Sequence, residues 1–359
     1  MVVSFDMTTR HQLITGNSAD LSSLPDESAE LVVTSPPYPM ISMWDNDFSK
    51  QDAEVKSALE REDGDTAFEK CHIILDAVWR ECFRILKAGS FLCINIGDAV
   101  RKIGDDFRLY PNHSRIISSL GSLGFHVLPA VLWRKQTNSP TKFMGSGMYP
   151  AGAYVTLEHE YILITRKGGK RKFSAEDKER RWRSACFWEE RNIWFSDVWD
   201  FKGTVQKLPG GKSRERSAAF PLELPFRLIS MYSIYGDTVV DPFSGTGTTS
   251  LAAAAAGRNS IGIDAAEELI QDSRRTLAGP FDILNARVAQ RMENHLTFAA
   301  EREKLGKLVK YTNTPHGVPV MTRQEVLLQL YRINAHPDST PEEILFQYTP
   351  YRKIQLELF

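Results

Sequence analysis

The sequence predicts an α/β fold: an open sheet of parallel strands alternating with helices, its ligands held where the strands end. Three observations predict it. Short apolar runs of strand length alternate with stretches of helical spacing along the 359 residues. One such run, Leu31-Val32-Val33, stops at Thr34-Ser35-Pro36-Pro37-Tyr38. Another, Val239-Val240, ends in Asp241 and enters a glycine-rich turn, Pro242 to Thr249, followed by an alanine-rich helix, Leu251 to Ala256.

From the amino end, His11 to Gly16 reads as a strand, Asn17-Ser18 as a turn, and Ala19 to Leu24 as a short helix. Leu31 to Thr34 is the next strand. Two consecutive prolines neither extend a sheet nor enter a helix interior, so Pro36-Pro37 holds a stiff loop at that strand's carboxyl end. Residues 42–70 carry nine Asp or Glu against four Lys or Arg and read as a solvent-facing loop or lid with some helix. Thr66 to Leu86 has apolar residues at helical spacing (Phe68, Ile74, Val78, Phe83, Leu86), with Gly89 as its stop. Ser90 to Ile96 is a strand, Arg115 to Leu120 a helix, Phe125 to Trp133 a strand, and Glu160 to Thr165 a last apolar run before the character changes.

Residues 166–216 hold fifteen Lys or Arg against eight Asp or Glu, with Trp182, Trp188, Trp194 and Trp199 among them. Basic side chains neutralise phosphates, and aromatic rings stack on bases. Lys170, Arg171, Lys172, Arg181, Arg183, Lys212 and Arg214 are the candidate DNA contacts, while Trp188, Trp194 and Trp199 read as a small core of this insert. Ser217 to Tyr235 begins with the proline-punctuated Phe220-Pro221-Leu222-Glu223-Leu224-Pro225 and continues as a helix. Beyond about residue 280 the pattern is helical and charged, with a proline-broken tail.

Two chemical sites stand out. After the double proline, unused backbone carbonyls and the face of Tyr38 are aimed in fixed directions. An exocyclic amino group on a flat ring needs acceptors for its hydrogens and a surface to stack on, and this corner offers both. The second site is a βαβ unit: the strand to Asp241, the glycine turn, a helix closed by Gly257, and the strand Ser260 to Ile263 ending in Asp264. Glycines let the backbone approach a ligand, and an acid ending the second strand accepts from ribose hydroxyls. A Walker loop requires Lys after the last glycine, where Thr248 stands; Gly211-Lys212-Ser213 has the right ending, but Gln206 occupies the place of that loop's first glycine. A nicotinamide fingerprint requires a third glycine where Ser250 stands, and Asp241 repels a pyrophosphate. A cofactor with an ammonium-bearing tail, an adenosine and no phosphate satisfies the pattern: S-adenosylmethionine.

The net charge of −1 gives no global nucleic-acid signature, so any DNA contact uses a local basic surface. Cys71, Cys82, Cys93 and Cys186 form no Cys-x-x-Cys pair and none follows a proline, which argues for core packing and against zinc, redox chemistry or a covalent base adduct. No metal-ligand set is expected. The absence of a leader or a membrane-length apolar run predicts a cytoplasmic protein.

Taken together, Thr34 to Tyr38 and Val239 to Thr249 resemble the motifs of the DNA amino-methyltransferases, in the permuted, beta-class order that puts the proline motif first. The resemblance covers roughly residues 11–38, 85–166 and 217–275. It implies a Rossmann-like, mostly parallel seven-stranded sheet with helices on both faces and one antiparallel strand near an edge. Residues 1–165 would form the catalytic half and 217–280 the cofactor half, separated by a target-recognition insert, 166–216, and followed by a helical C-terminal extension, 281–359. It implies that Ser35, Pro36, Pro37 and Tyr38 are catalytic. Phe243, Ser244, Gly245, Thr246, Gly247 and Thr248 would wrap the methionine end of the cofactor beside Asp241. Asp264 would hold the ribose, Phe220 and Pro221 would close the pocket, and Asn17 would stand near the adenine where relatives carry Asp. Family members with Ser at position 35 mostly methylate cytosine N4, and those with Asp mostly adenine N6. The expected function is thus transfer of a methyl group to cytosine N4 in double-stranded DNA, alongside a restriction endonuclease. Adenine N6, RNA, or a regulator that kept the fold and lost catalysis are the alternatives.

Overall fold

The computed structural model describes residues 7–135, 145–203, 220–279, 281–307, 309–340 and 343–352. From the amino end come β1 (Met7–Thr15), β2 (Ala29–Thr34), α1 (Asp45–Gln51), α2 (Ala53–Glu60), α3 (Gly64–Ile85), β3 (Leu86–Ile96), a hairpin of β4 (Ala99–Ile103) and β5 (Asp106–Tyr110), α4 (Asn112–Ser122), β6 (Phe125–Val127), β7 (Val131–Arg134) and β8 (His159–Lys167). After β8 come α5 (Ala175–Arg183), α6 (Trp188–Trp194) and β9 (Val198–Asp200). Then follow α7 (Glu223–Tyr232), β10 (Thr238–Asp241), α8 (Thr248–Ala255), β11 (Asn259–Asp264) and α9 (Glu267–Leu277). Last come α10 (Phe281–Lys304), β12 (Tyr311–Thr312), β13 (Pro319–Val320), β14 (Tyr331–Ala335) and β15 (Glu343–Pro350).

The main sheet runs β14-β15-β1-β11-β10-β2-β3-β8-β7-β9, with β6 also paired to β8. Its five central strands, β1, β11, β10, β2 and β3, are parallel. The expected seven strands are those from β1 to β7, and β8 is the antiparallel one, opposed to both β3 and β7. β2 is buried along its whole length, as a central strand covered on both faces must be. Val32 faces α3 and α4, packed with Leu75, Trp79, Ile116 and Leu120. Leu31 and Val33 face the other way, against Leu228 of α7 and Ala252 and Ala253 of α8. Alanine-rich α8 fits because its small side chains let the helix lie close to the sheet.

Four differences from the sequence reading have local causes. Ala19 to Leu24 forms turns, not a helix: the Asn17 and Asp20 side chains accept from the Ala19 and Ser22 amides and compete with helical bonding. Gly89 does not stop α3, which ends at Ile85; it lies in β3 at φ 85°, where the backbone of Arg171 leaves no room for a side chain. The strand expected over 125–133 is broken into β6 and β7, with Pro129 in the gap. The C-terminal extension is helical only through α10; β14 and β15 widen the main sheet at β1. Alternation decides this, since Ile344, Phe346 and Tyr348 point to one face and join a core with Leu284 and Ile333. The expected tryptophan core holds for Trp194 and Trp199, buried against α7 and the sheet, whereas Trp188 stacks on Phe298 of α10.

Candidate functional site

β2 and β10 lie side by side and parallel, with Leu31 opposite Val239 and Val32 opposite Val240. The double-proline loop and the glycine turn therefore leave the sheet at the same edge. A hydrogen bond ties them across 207 positions: Thr34 Oγ1 donates to Asp241 Oδ1 at 2.6 Å. Asp241 also accepts from the Phe243 amide at 3.0 Å and from Thr249 Oγ1 at 2.5 Å. A carboxylate has about four acceptor positions, so one remains. Asp241 is 2% exposed, and burial pushes its carboxyl up to about 6.

A cavity of about 710 Å³ opens at this edge, within the range of small-molecule sites. Asn17, Ser35, Pro36, Pro37, Tyr38, Phe220, Asp241, Phe243, Ser244, Gly245, Thr246, Thr248 and Asp264 all line it. Gly247 stands just behind, as the left-handed N-cap of α8 at φ 83°, and buried Pro221 accepts from the Leu224 amide. Asp264 holds the turn in shape, one oxygen accepting from the Gly245 amide at 2.9 Å and the other from the Ala266 amide at 3.0 Å. The cavity suits S-adenosylmethionine on three counts. The buried Ser244 hydroxyl has no protein partner in its wall. The start of α8, with no side-chain cap, favours a carboxylate. Apolar walls from Phe243, Leu75 and Val78 suit an adenine.

At the other end of the cavity, Tyr38 is fixed by its hydroxyl. It donates to Glu160 Oε2 at 3.0 Å, accepts from Asn95 Nδ2 at 2.8 Å, and lies 3.1 Å from Ser35 Oγ. Asn95 Nδ2 also donates to Glu160 Oε2 at 2.7 Å, and Lys135 forms an ion pair with Glu160. Burial first, and the Glu160 charge second, hold the Tyr38 hydroxyl well above the usual phenol range. Gly97 leaves the ring its place: a β-carbon there would lie 3.0 Å from Tyr38 Cε2. The acidic stretch predicted as a lid does wall the cavity, through Met43, Trp44 and Phe48, and Arg101 clamps it with two bonds of 2.7 Å to Asp45.

The described basic candidates are not brought to this edge. Because β8 runs against its neighbours, the chain enters it beside the cavity at Glu160 and leaves at the opposite edge, where Arg166 sits across from Phe91. Arg171 there makes a paired contact of 2.5 and 2.9 Å with Asp237, which is 2% exposed and precedes β10. Lys170 and Lys172 flank that pair on the surface; Arg181 lies over the Phe173 ring, and Arg183 pairs with Glu179. Lys212 and Arg214 lie outside the described residues. Sequence reading missed Asn95, Lys135, Glu160 and Trp133. Two of them had a signal: Asn95 and Glu160 each place a polar group in an otherwise apolar buried strand, which requires a partner. Among the described residues no cluster is arranged to hold a metal ion, and no helix is long and apolar enough to cross a membrane.

Comparison with known proteins identifies the family. The family model described as DNA methylase, for N6 and N4 enzymes, matches residues 29–275. The chain is 48% identical over 345 residues to the type II methyltransferase M.MthZI of Methanothermobacter thermautotrophicus, covering 95% of this chain and 96% of that one. It is 48% identical over 274 residues to the type II methyltransferase M.MjaI of Methanocaldococcus jannaschii, covering 73% and 89%. A protein of Thermus thermophilus described as a DNA modification methylase, solved in complex with S-adenosyl-L-methionine, superposes with a TM-score of 0.55 at 34% identity, over 74% of this chain and 94% of that one.

Proposed function

The chain belongs to the N6/N4 DNA methylase family, whose methyl donor is S-adenosylmethionine, and on that premise we propose that it methylates the N4 amino group of cytosine in double-stranded DNA. The observation that carries this reading is the single cavity shared by the Ser35–Tyr38 corner and the glycine turn, held together through Thr34 and Asp241. Ser35 supports cytosine over adenine: a neutral hydroxyl avoids the repulsion that a carboxylate would feel from the electron-rich edge of that base.

S-adenosylmethionine supplies an electrophilic methyl group on a sulfonium. The protein's residues do the rest by positioning and electrostatics. Asp241 accepts the ammonium of the amino-acid tail at its remaining position, Ser244 and the start of α8 meet the carboxylate, and Asp264 takes the ribose hydroxyls. The target base must leave the duplex, at a cost of about a few kcal/mol. Stacking on Tyr38 returns roughly 1–3 kcal/mol of that. Ser35 Oγ and the Pro36 carbonyl accept the two amine hydrogens, which turns the nitrogen pyramidal and aims its lone pair. Digesting methylated DNA to nucleosides and weighing them tests the assignment. Methyl label on deoxycytidine is expected; label confined to deoxyadenosine overturns it.

We place the DNA on the cavity edge. The chain between β7 and β8, described over residues 145–158, exposes Met148, Tyr149 and Val155 there, and Tyr154 touches Phe107 of the β4–β5 hairpin with ring centroids 5.1 Å apart. Apolar side chains of this kind wedge between base steps. Replacing Lys170 and Lys172 together with alanine is therefore expected to leave DNA affinity and its salt dependence unchanged. A log–log salt slope shallower by about two would put two phosphate contacts back at those lysines. The relatives' type II naming supports a role beside a restriction endonuclease.

A further inference from the structure

We propose that Glu160 is the terminal proton acceptor of a relay, Ser35–Tyr38–Glu160, which points the Ser35 lone pairs at the target amine and takes up the proton that the amine sheds; this rests on the methyl-transfer reading above.

The direction of every bond in the relay follows from counting protons. An ionised carboxylate only accepts, so Tyr38 donates its one proton to Glu160 Oε2, 3.0 Å away. The Asn95 amide lies 2.8 Å from the Tyr38 oxygen and 2.7 Å from Glu160 Oε2. Only its Nδ2 has a proton for both acceptors, and the reverse amide orientation would set oxygen against oxygen. With the Tyr38 proton spent, the 3.1 Å contact to Ser35 is made by the serine hydroxyl as donor. Nothing but lone pairs then remains on Ser35 Oγ toward the cavity, which makes the hydroxyl a one-way acceptor. Lys135 is paired to the other Glu160 oxygen, which leaves Oε2 to Tyr38 and Asn95.

Protons balance along the same line. The methylated amine gives one proton to Ser35 Oγ, the Ser35 proton passes to the Tyr38 oxygen, and the Tyr38 proton passes to Glu160 Oε2. The amine leaves neutral, Ser35 and Tyr38 end as they began, and Glu160 ends as a carboxylic acid beside Lys135. Glu160 and Asn95 are positioning residues here, acting on the substrate through Tyr38 and Ser35.

The test uses the full chain with Glu160→Gln, Tyr38→Phe and the double variant. Glu160→Gln is expected to lower kcat about 100-fold, at the low end of general acid–base contributions, with KM for DNA and cofactor affinity within about twofold. The acidic limb of the wild-type kcat–pH profile should disappear, and Glu160→Asp should restore part of the rate. Tyr38→Phe, which keeps the ring, should match Glu160→Gln, and the double variant should lose no more than either alone. Ultraviolet titration of the free protein supplies a readout that needs no turnover: the tyrosinate step absent from Tyr38→Phe should move to lower pH in Glu160→Gln. Multiplying losses in the double variant, an unchanged pH profile, or an unmoved tyrosinate step would each reduce Glu160 to packing. Should the wild-type protein transfer no methyl group to cytosine, the functional reading fails by itself, while the titration still reports on the relay.

Discussion

Tyr38→Ala is expected to lower methyl transfer by about 1,000-fold, with S-adenosylmethionine affinity kept within about threefold. Stacking of a base on an aromatic ring is worth roughly 1–3 kcal/mol, and about 1.4 kcal/mol is a factor of ten in rate. Loss of the ring alone therefore costs up to about 100-fold. The rest comes from the hydroxyl: Tyr38 is the group through which Ser35, Asn95 and Glu160 are held in one constellation, and without it Ser35 is free to rotate. The cofactor end of the cavity is built by the turns after β10 and β11, which Tyr38 does not support. Single-turnover methylation with labelled cofactor gives the rate, and calorimetric titration gives the affinity. Equal losses in both would remove the stacking role.

Asp241→Asn separates folding from function in the opposite sense. Asparagine has nearly the same shape; its oxygen accepts from Thr34 and the Phe243 amide, and its amide donates to Thr249. The wild-type carboxyl, raised from 3.8 to about 6 by burial, contributes stability that is present below pH 3.8 and lost as pH rises through about 6. Keeping it ionised at neutral pH thus costs the fold on the order of 3 kcal/mol. The variant carries no such cost, so above pH 6 its Tm is expected to match or exceed that of the wild type. Cofactor affinity should fall at least tenfold, since the ammonium loses its counter-charge. For the same reason wild-type affinity should weaken as pH drops through about 6, and the variant's should not. Cofactor affinity in the variant equal to wild type would assign Asp241 to holding the two loops and nothing more.

Both loops and their meeting place were legible in the sequence because each is written locally: prolines that stop a strand, glycines that turn one, an acid where each of two strands ends. The strands of the central sheet were legible for a similar reason, as apolar runs such as Leu31 to Val33. What stayed hidden was direction. Nothing in Glu160 to Thr165 tells whether that strand runs with or against β3, yet this one fact decides whether Lys170 and Arg171 emerge beside the cavity or at its far side. Asn95, Lys135 and Glu160 were out of reach for a related reason: they come from β3, from the residue just after β7 and from β8, and have meaning only once those strands are side by side. The C-terminal strands were hidden because their alternation sits among charged residues that also suit a helix.

The placing of β1 has a consequence for how the protein is made. His11 bonds Ser260, 249 positions later, and Thr9 bonds Tyr348, 339 positions later. When β1 leaves the ribosome it therefore has neither neighbour at hand. At about 5–20 residues per second it waits more than roughly ten seconds for the first of them. During synthesis it is an unpaired edge in need of shelter, and the cavity stays unfinished until Asp264, which lines it, has been translated.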